Sequence, residues 1–259
     1  VDVVARTSVG VAAMRAKEST RPDRWFDDPW AAPLVEAAGW VGEDLPDADA
    51  VGDPVWRAIV RSTVVRTRWI DSVLGASTAP QVVLLGAGLD SRAWRLDWPA
   101  GTTVWELDRP EVLDVKAAVV TGPPACDRRP VAVDLLDDWP AALAAAGHDP
   151  AVPTTWVAEG LLVYFDDAGV DRLLRRVTAL SPAGSRLVLT LRVSDRALPH
   201  LADVWRSRAP ADPVAWMAGH GWDATAEAWS ELAAEWGRPH WRSSSTKPGF
   251  VDALRTIDP

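Results

Sequence analysis

The stretch Gln81–Leu96, QVVLLGAGLDSRAWRL, constrains the fold of this chain more than any other. It opens with Val82, Val83, Leu84 and Leu85, a β-branched apolar run too short for an ordinary helix. That predicts a strand buried on both faces of a parallel sheet. The run breaks at Gly86-Ala87-Gly88, where missing side chains let backbone N–H groups approach a ligand closely. Asp90 and Ser91 offer side-chain oxygens to cap a helix beginning near Arg92. Strand, glycine turn and helix N-terminus together make a nucleotide cradle of the doubly wound α/β kind. A strand that simply turns sharply, with no ligand, gives the same Gly-x-Gly pattern.

Thr102–Asp108 reads as a second strand, ending in a carboxylate twenty-two residues after Gly86. An acid at that tip holds the two hydroxyls of a ribose in such folds; the alternative is a cap for the helix that Pro110 begins. A nicotinamide dinucleotide and S-adenosylmethionine both fit this much. The third glycine of the dinucleotide pattern falls on Ser91, which weakens the first choice. Further strands are predicted over Arg129–Leu135, Thr154–Gly160 and Arg186–Leu191. Helices lie between them over Pro110–Val120, over Trp139–Ala146, and from the cap Asp166 to Leu180. This alternation predicts a parallel sheet. Asp108, Asp134 and Glu159 then sit at the carboxyl ends of successive strands, the ligand-binding edge of open α/β sheets.

Residues 1–54 read as a helical cap ahead of the first strand, either covering the site or only packing. In the helix over residues 55–74, Val55, Ile59, Ile70 and Val73 share one side, while Arg57, Arg61 and Arg68 form a solvated face. Arg66 instead points into the apolar stripe. A guanidinium there needs a partner, either a structural carboxylate or a ligand's. Residues 192–240 are broken up by Pro199, Pro210 and Pro213. Helical pieces are expected over Asp212–Gly219 and Thr225–Trp236, with Trp205, Trp216, Trp222, Trp229 and Trp236 giving an apolar character. His240–Ile257 is expected to close the chain as a two-stranded hairpin.

The 259 residues, 48% hydrophobic and 24% charged, fit one α/β domain with a small cap. A net charge of −9 argues against a nucleic-acid surface. No apolar run is long enough to span a membrane, and no signal-peptide pattern opens the chain. One cysteine, Cys126, fits a reducing cytoplasm. No metal site is visible: the four histidines are scattered, and the pairs Asp137-Asp138 and Asp166-Asp167 sit at helix starts, where capping explains them.

Several short motifs, taken in order, resemble the leucine carboxyl methyltransferase family, close to its bacterial S-adenosylmethionine-dependent branch. They are Ala16-Lys17-Glu18-Ser19, Asp27-Asp28-Pro29-Trp30, Val65-Arg66-Thr67-Arg68, Leu85 to Asp90, Glu106-Leu107-Asp108, Asp134-Leu135 and Ala158 to Tyr164. The resemblance covers at least Arg15 to Phe165. It implies the seven-stranded, mostly parallel, Rossmann-like sheet of class I methyltransferases, with residues 192–240 inserted as a lid after the fifth strand. It also implies that Arg66 binds the methionyl carboxylate and Gly86 the cofactor backbone. Asp108 would take the ribose, Asp134 with Leu135 the adenine, and Glu159 the amino group. Ala87, Gly88, Asp90 and Gly160 flank these positions in the same turns and are expected at the cofactor. The acceptor does not follow from the resemblance. An apolar or aromatic small molecule, methylated on a carboxylate, is the expectation, since an ionised carboxylate needs no base. A phenol or alcohol needs one, and His200 and His220 are the candidates. Tyr164 and Arg192 are the other expected substrate contacts. An NAD-dependent oxidoreductase and a non-catalytic cofactor-binding protein are the rival readings.

Overall fold

The computed structural model describes residues 3–39, 47–50, 52–192, 204–241, 243 and 247–257. Two helices, α1 (Val3–Ser19) and α2 (Ala31–Ala37), precede the long α3 (Pro54–Gly75). Asp53 caps α3 by accepting from Trp56 N, with Pro54 in the first turn. The alternating part follows: β1 (Gln81–Leu85), the single-turn α4 (Arg92–Arg95), β2 (Thr103–Asp108), α5 (Pro110–Val119), β3 (Asp127–Ala132) and α6 (Trp139–Ala145). It continues with β4 (Thr154–Ala158), α7 (Asp167–Ala179), β5 (Arg186–Thr190), α8 (Pro213–Gly219), β6 (Asp223–Glu227), α9 (Trp229–Glu235) and β7 (Phe250–Leu254). The seven strands run in the order β3-β2-β1-β4-β5-β7-β6. The first five are mutually parallel, and β7 lies antiparallel between β5 and β6. The strand order reverses at β1 and β4, and that crevice is where open α/β sheets take ligands.

The apolar run of β1 divides between two cores. Val83 and Leu85 pack with Trp105, Trp139, Trp156 and the inner face of α7. Val82 and Leu84 pack with Val60, Val64 and Ile70 of α3 and with Trp229 and Leu232 of α9. Burial on both faces is why these strands are continuously hydrophobic rather than alternating. A third cluster joins Val9, Ala12 and Ala13 of α1 and Leu34 and Val35 of α2 to Leu89, in the loop after β1. The N-terminal helices are thus pinned to the glycine turn itself.

Four expectations are corrected. Residues 225–227, expected to begin a helix, belong instead to β6, because pairing with β7 outweighs the helical preference of Ala and Glu. The hairpin expected over 240–257 reduces to β7, whose antiparallel neighbours are β5 and β6. The lid over 192–240 divides: residues 193–203 lie outside the described residues, whereas 213–235 supply α8, β6 and α9, which belong to the sheet and its flanks. The arginine face of α3 is not simply solvated. Arg68 lies over the rings of Trp25 and Trp236, 5.0 and 4.6 Å from their centroids, and Arg61 lies over Trp241. No helix among the described residues is long and apolar enough to cross a membrane.

Candidate active site

A cavity of about 750 Å³ opens at the carboxyl edge of the sheet, between the glycine turn, α1 and α3. Gly86 and Gly88 adopt φ of +65° and +52°, a region that disfavours side chains. A Cβ on Gly86 would stand 2.7 Å from Leu161 Cδ1. The carbonyls just beyond the turn are fixed by buried cations. Arg15 Nη2 donates to Leu89 O at 2.6 Å and is paired with Asp28. Lys116 Nζ donates to Asp90 O at 3.0 Å and is paired with Glu106. Asp90 Oδ1 accepts from Arg92 N, so Asp90 rather than Ser91 supplies the side-chain contact at the start of α4.

At the end of β2, Asp108 accepts from Gly88 N (2.6 Å) and from Arg109 N (2.7 Å). Burial pushes its carboxyl above the ordinary range, and the two amides pull the other way. Asp108 thus ties the glycine turn to the start of α5 without capping that helix, whose N-cap Arg109 has no side-chain cap bond, and it lines the cavity. Asp134 lies two residues beyond β3 and accepts from Leu136 N at 2.8 Å. Leu135 is buried beneath it, and Leu136 stands exposed at the mouth.

Glu159 follows β4 directly. Its Oε1 accepts from Arg66 Nε at 2.8 Å and its Oε2 from Arg92 Nη1 at 2.7 Å. Burial alone would raise this carboxyl, but the guanidinium charges of Arg92, then Arg66, overcome it and hold the pKa near about 2. The half-buried Arg66 therefore has a carboxylate partner within the chain. Gly160, at φ +61°, donates its N–H to Thr190 Oγ1 at 2.8 Å. A Cβ there would stand 3.2 Å from Arg66 Nη1.

Besides the cradle residues, the cavity is lined by Trp56, Ile59, Val163, Leu191 and Phe250, with Tyr164, Arg192, Trp205 and Arg206. Tyr164 Oη donates to Thr7 Oγ1 of α1 at 2.7 Å, and burial raises the phenol above its ordinary range. The Arg192 guanidinium lies 5.4 Å from the centre of the Trp205 ring. His220 does not reach the cavity: at the end of α8, its Nδ1 meets Trp216 O (2.9 Å) and its Nε2 meets Asp171 Oδ1 (3.2 Å). His200 lies outside the described residues. Of the five tryptophans expected in a lid, Trp205 alone lines this cavity. Trp222 and Trp229 are core, and Trp236 stacks edge-on to Trp25.

The structure thus gathers Arg66, Gly86, Ala87, Gly88, Asp90, Asp108, Asp134, Leu135, Glu159, Gly160, Tyr164 and Arg192 around one cavity. Sequence reasoning missed Arg92 and Arg15. Both sit in the quoted motifs or beside them, but only the fold reveals their buried partners. Among the described residues, no group of three or more His, Cys, Asp or Glu is arranged to hold a metal ion.

The model of one family, leucine carboxyl methyltransferase, matches residues 8–178, which carry α1, the glycine turn, Asp108 and Glu159. The chain belongs to the leucine carboxyl methyltransferase family. Its relatives include a protein of Streptomyces avermitilis provisionally named as an S-adenosyl-L-methionine-dependent methyltransferase. The two are 48% identical, over 96% of this chain and 94% of the relative. A Frankia alni protein with the same provisional name is 45% identical, with 96% and 94% covered. Among solved structures, a DUF574 family protein from Streptomyces avermitilis aligns with a TM-score of 0.61 at 16% identity, covering 95% of this chain and 96% of the other. At that identity the match speaks for the fold, and it agrees with the seven-stranded, mostly parallel sheet found in this methyltransferase-family chain.

Proposed function

We propose that this protein transfers a methyl group from S-adenosyl-L-methionine to a carboxylate oxygen of an apolar small molecule. The residues present fit that cofactor. Asp108 is a half-buried acid beside the glycine turn, suited to vicinal ribose hydroxyls. Asp134 and Leu135 offer an acceptor and an apolar floor for an adenine ring. Arg66 and Glu159 offer opposite charges for a zwitterionic methionyl end. When bound, the cofactor supplies an electrophilic methyl group on a sulfonium.

The observation that carries the carboxylate reading is the cavity lining other than the cradle residues. This lining is aliphatic and aromatic and includes the cations Arg192 and Arg206, and the acids lining the cavity, Asp90, Asp108, Asp134 and Glu159, are those of the cradle. No described histidine lines it. An acid acceptor is already ionised at pH 7 and asks for no general base, which suits a lining without a histidine among the described residues. The chain's own work is then to orient the acceptor against Arg192 and to exclude water behind Trp56, Trp205 and Phe250. A phenol acceptor would require a base, and Tyr164, whose phenol is raised by burial and tied to Thr7, is poorly suited to that.

The test is incubation with methyl-labelled S-adenosylmethionine and an extract of the source cells, followed by mild base. Release of volatile labelled methanol is expected, because it reports an ester. A base-stable labelled product would overturn the carboxylate reading and leave methyl transfer standing.

A further inference from the structure

The residue that organises the charged wall of the cavity does not touch the cavity. Arg92 is 2% exposed and lies behind Glu159. Its Nε donates to Asp71 Oδ1 at 2.6 Å, its Nη1 to Glu159 Oε2 at 2.7 Å and also to Asp90 Oδ2, and its Nη2 to Thr67 O at 3.4 Å. Asp71 is itself held by both terminal nitrogens of Arg95. Arg92 is therefore anchored on the protein side by α3 and by the glycine turn. It presents one N–H to Glu159.

The consequence shows on the cavity side. Arg66 and Glu159 are 16% and 14% exposed, and they meet through a single bond from Arg66 Nε. A guanidinium beside an unrestrained carboxylate favours a two-point fork that uses both oxygens. Here the second oxygen already belongs to Arg92. Arg66 Nη1 and Nη2 make no hydrogen bond among the described residues, and Gly160, lacking a Cβ, leaves them room. Glu159 keeps unused lone pairs on both oxygens.

We propose that Arg92 is a positioning residue. By holding one oxygen of Glu159 from behind, it stops Glu159 and Arg66 from satisfying each other, and so leaves the first ready for an ammonium and the second for a carboxylate. The role rests on the reading above, in which this cavity takes the methionyl end of the cofactor. The groups facing Glu159 are Arg92 and Arg66, with Arg15 at longer range; Asp71 and Asp90 bear on it through Arg92. Losing the Arg92 contact removes the largest favourable influence on the Glu159 anion.

The experiment compares S-adenosylhomocysteine with 5′-methylthioadenosine, which lacks the amino-acid end, by calorimetry on the wild type and on Arg92→Lys. Arg92→Lys keeps the buried positive charge but cannot reach Asp71, Asp90 and Glu159 together. Its S-adenosylhomocysteine affinity is expected to fall about tenfold or more, with methylthioadenosine binding unchanged. The ratio of S-adenosylhomocysteine to methylthioadenosine affinity should fall further as pH drops from about 8 to about 5, whereas in the wild type that ratio stays flat, because any change at Asp108 acts on the ribose of both ligands. Asp71→Asn, which loosens the anchor without touching Arg92 itself, is expected to give the same selective loss and serves if Arg92→Lys does not fold. Equal loss of both ligands in a folded variant, or loss of neither, overturns the positioning role and leaves the cofactor reading intact. A wild type that binds the two ligands equally, or neither, overturns both.

Discussion

Replacing Asp108 with Ala probes the cradle at its most exacting point. The carboxylate has two duties: it accepts from Gly88 N at 2.6 Å and Arg109 N at 2.7 Å, and it faces the cavity. Hydrogen bonds to a charged group contribute about 1.5–3 kcal/mol, so losing the ribose contact should weaken S-adenosylhomocysteine binding by about 10- to 150-fold. Losing the two amide contacts loosens the glycine turn as well, so the fall is expected at the upper part of that range and a lower Tm should accompany it. Asp108→Asn separates the two effects, because it keeps a carbonyl acceptor for one amide while removing the charge. Calorimetric titration of both variants, with thermal melts as the control, measures the loss. Burial raises the Asp108 carboxyl, so the anion is favourable for binding only above that raised pKa. Wild-type affinity should therefore weaken as pH falls through it. An Ala variant that is folded and binds S-adenosylhomocysteine as tightly as the wild type would remove Asp108 from the site and refute the reasoning.

Three further outcomes are expected. His148 is buried between Trp105 and Trp156, bonds Thr154, and is held neutral by desolvation with its pKa lowered to about 4. The unfolded chain takes up that proton first, so stability is full above about pH 6.5 and declines towards pH 4, by up to about 3 kcal/mol. Denaturant titrations of His148→Gln should lack that share of the pH dependence. Arg238 lies between the rings of Trp25 and Trp241 and pairs with Glu18, both side chains nearly inaccessible, tying α1 to the segment after α9. Glu18→Ala leaves that cation only Asp23, through a carbonyl bond at 2.8 Å and an ion pair at 3.6 Å, and should cost about 3 kcal/mol, read as a fall in Tm. Arg192→Met should raise KM for the carboxylate acceptor while S-adenosylhomocysteine affinity stays as in the wild type; equal loss of both would move Arg192 out of the acceptor half.

What was legible in the residues was whatever depends on local pattern. Val82–Leu85 followed by glycines can only be a buried strand meeting a tight turn, and acids at strand ends follow from the strand assignments. Arg66 could be recognised as a cation on an apolar stripe. Its partner could not, because Glu159 lies 93 residues away and only the pairing of β1 with β4 brings it near. Arg92 reads locally as an ordinary first residue of a helix; its burial is decided by Asp71 on α3 and Glu159 after β4. β6 was misread for the opposite reason. Asp223-Ala-Thr-Ala-Glu227 carries a helical composition, and its extended form exists because β7 offers a ladder on one side. The lid tryptophans misled through composition alone: Trp222 and Trp229 fill the core beside the sheet, where large aromatic area stabilises most.

The most direct test of the central claim is a crystal structure with S-adenosylhomocysteine bound. The ribose hydroxyls should lie on Asp108, the methionyl carboxylate on the terminal nitrogens of Arg66, and the ammonium on Glu159, with the thioether sulfur facing the half of the cavity that holds Arg192. A ligand seated elsewhere, or one in this cavity with the Arg66–Glu159 pair closed on itself and its amino-acid end in solvent, would contradict the account.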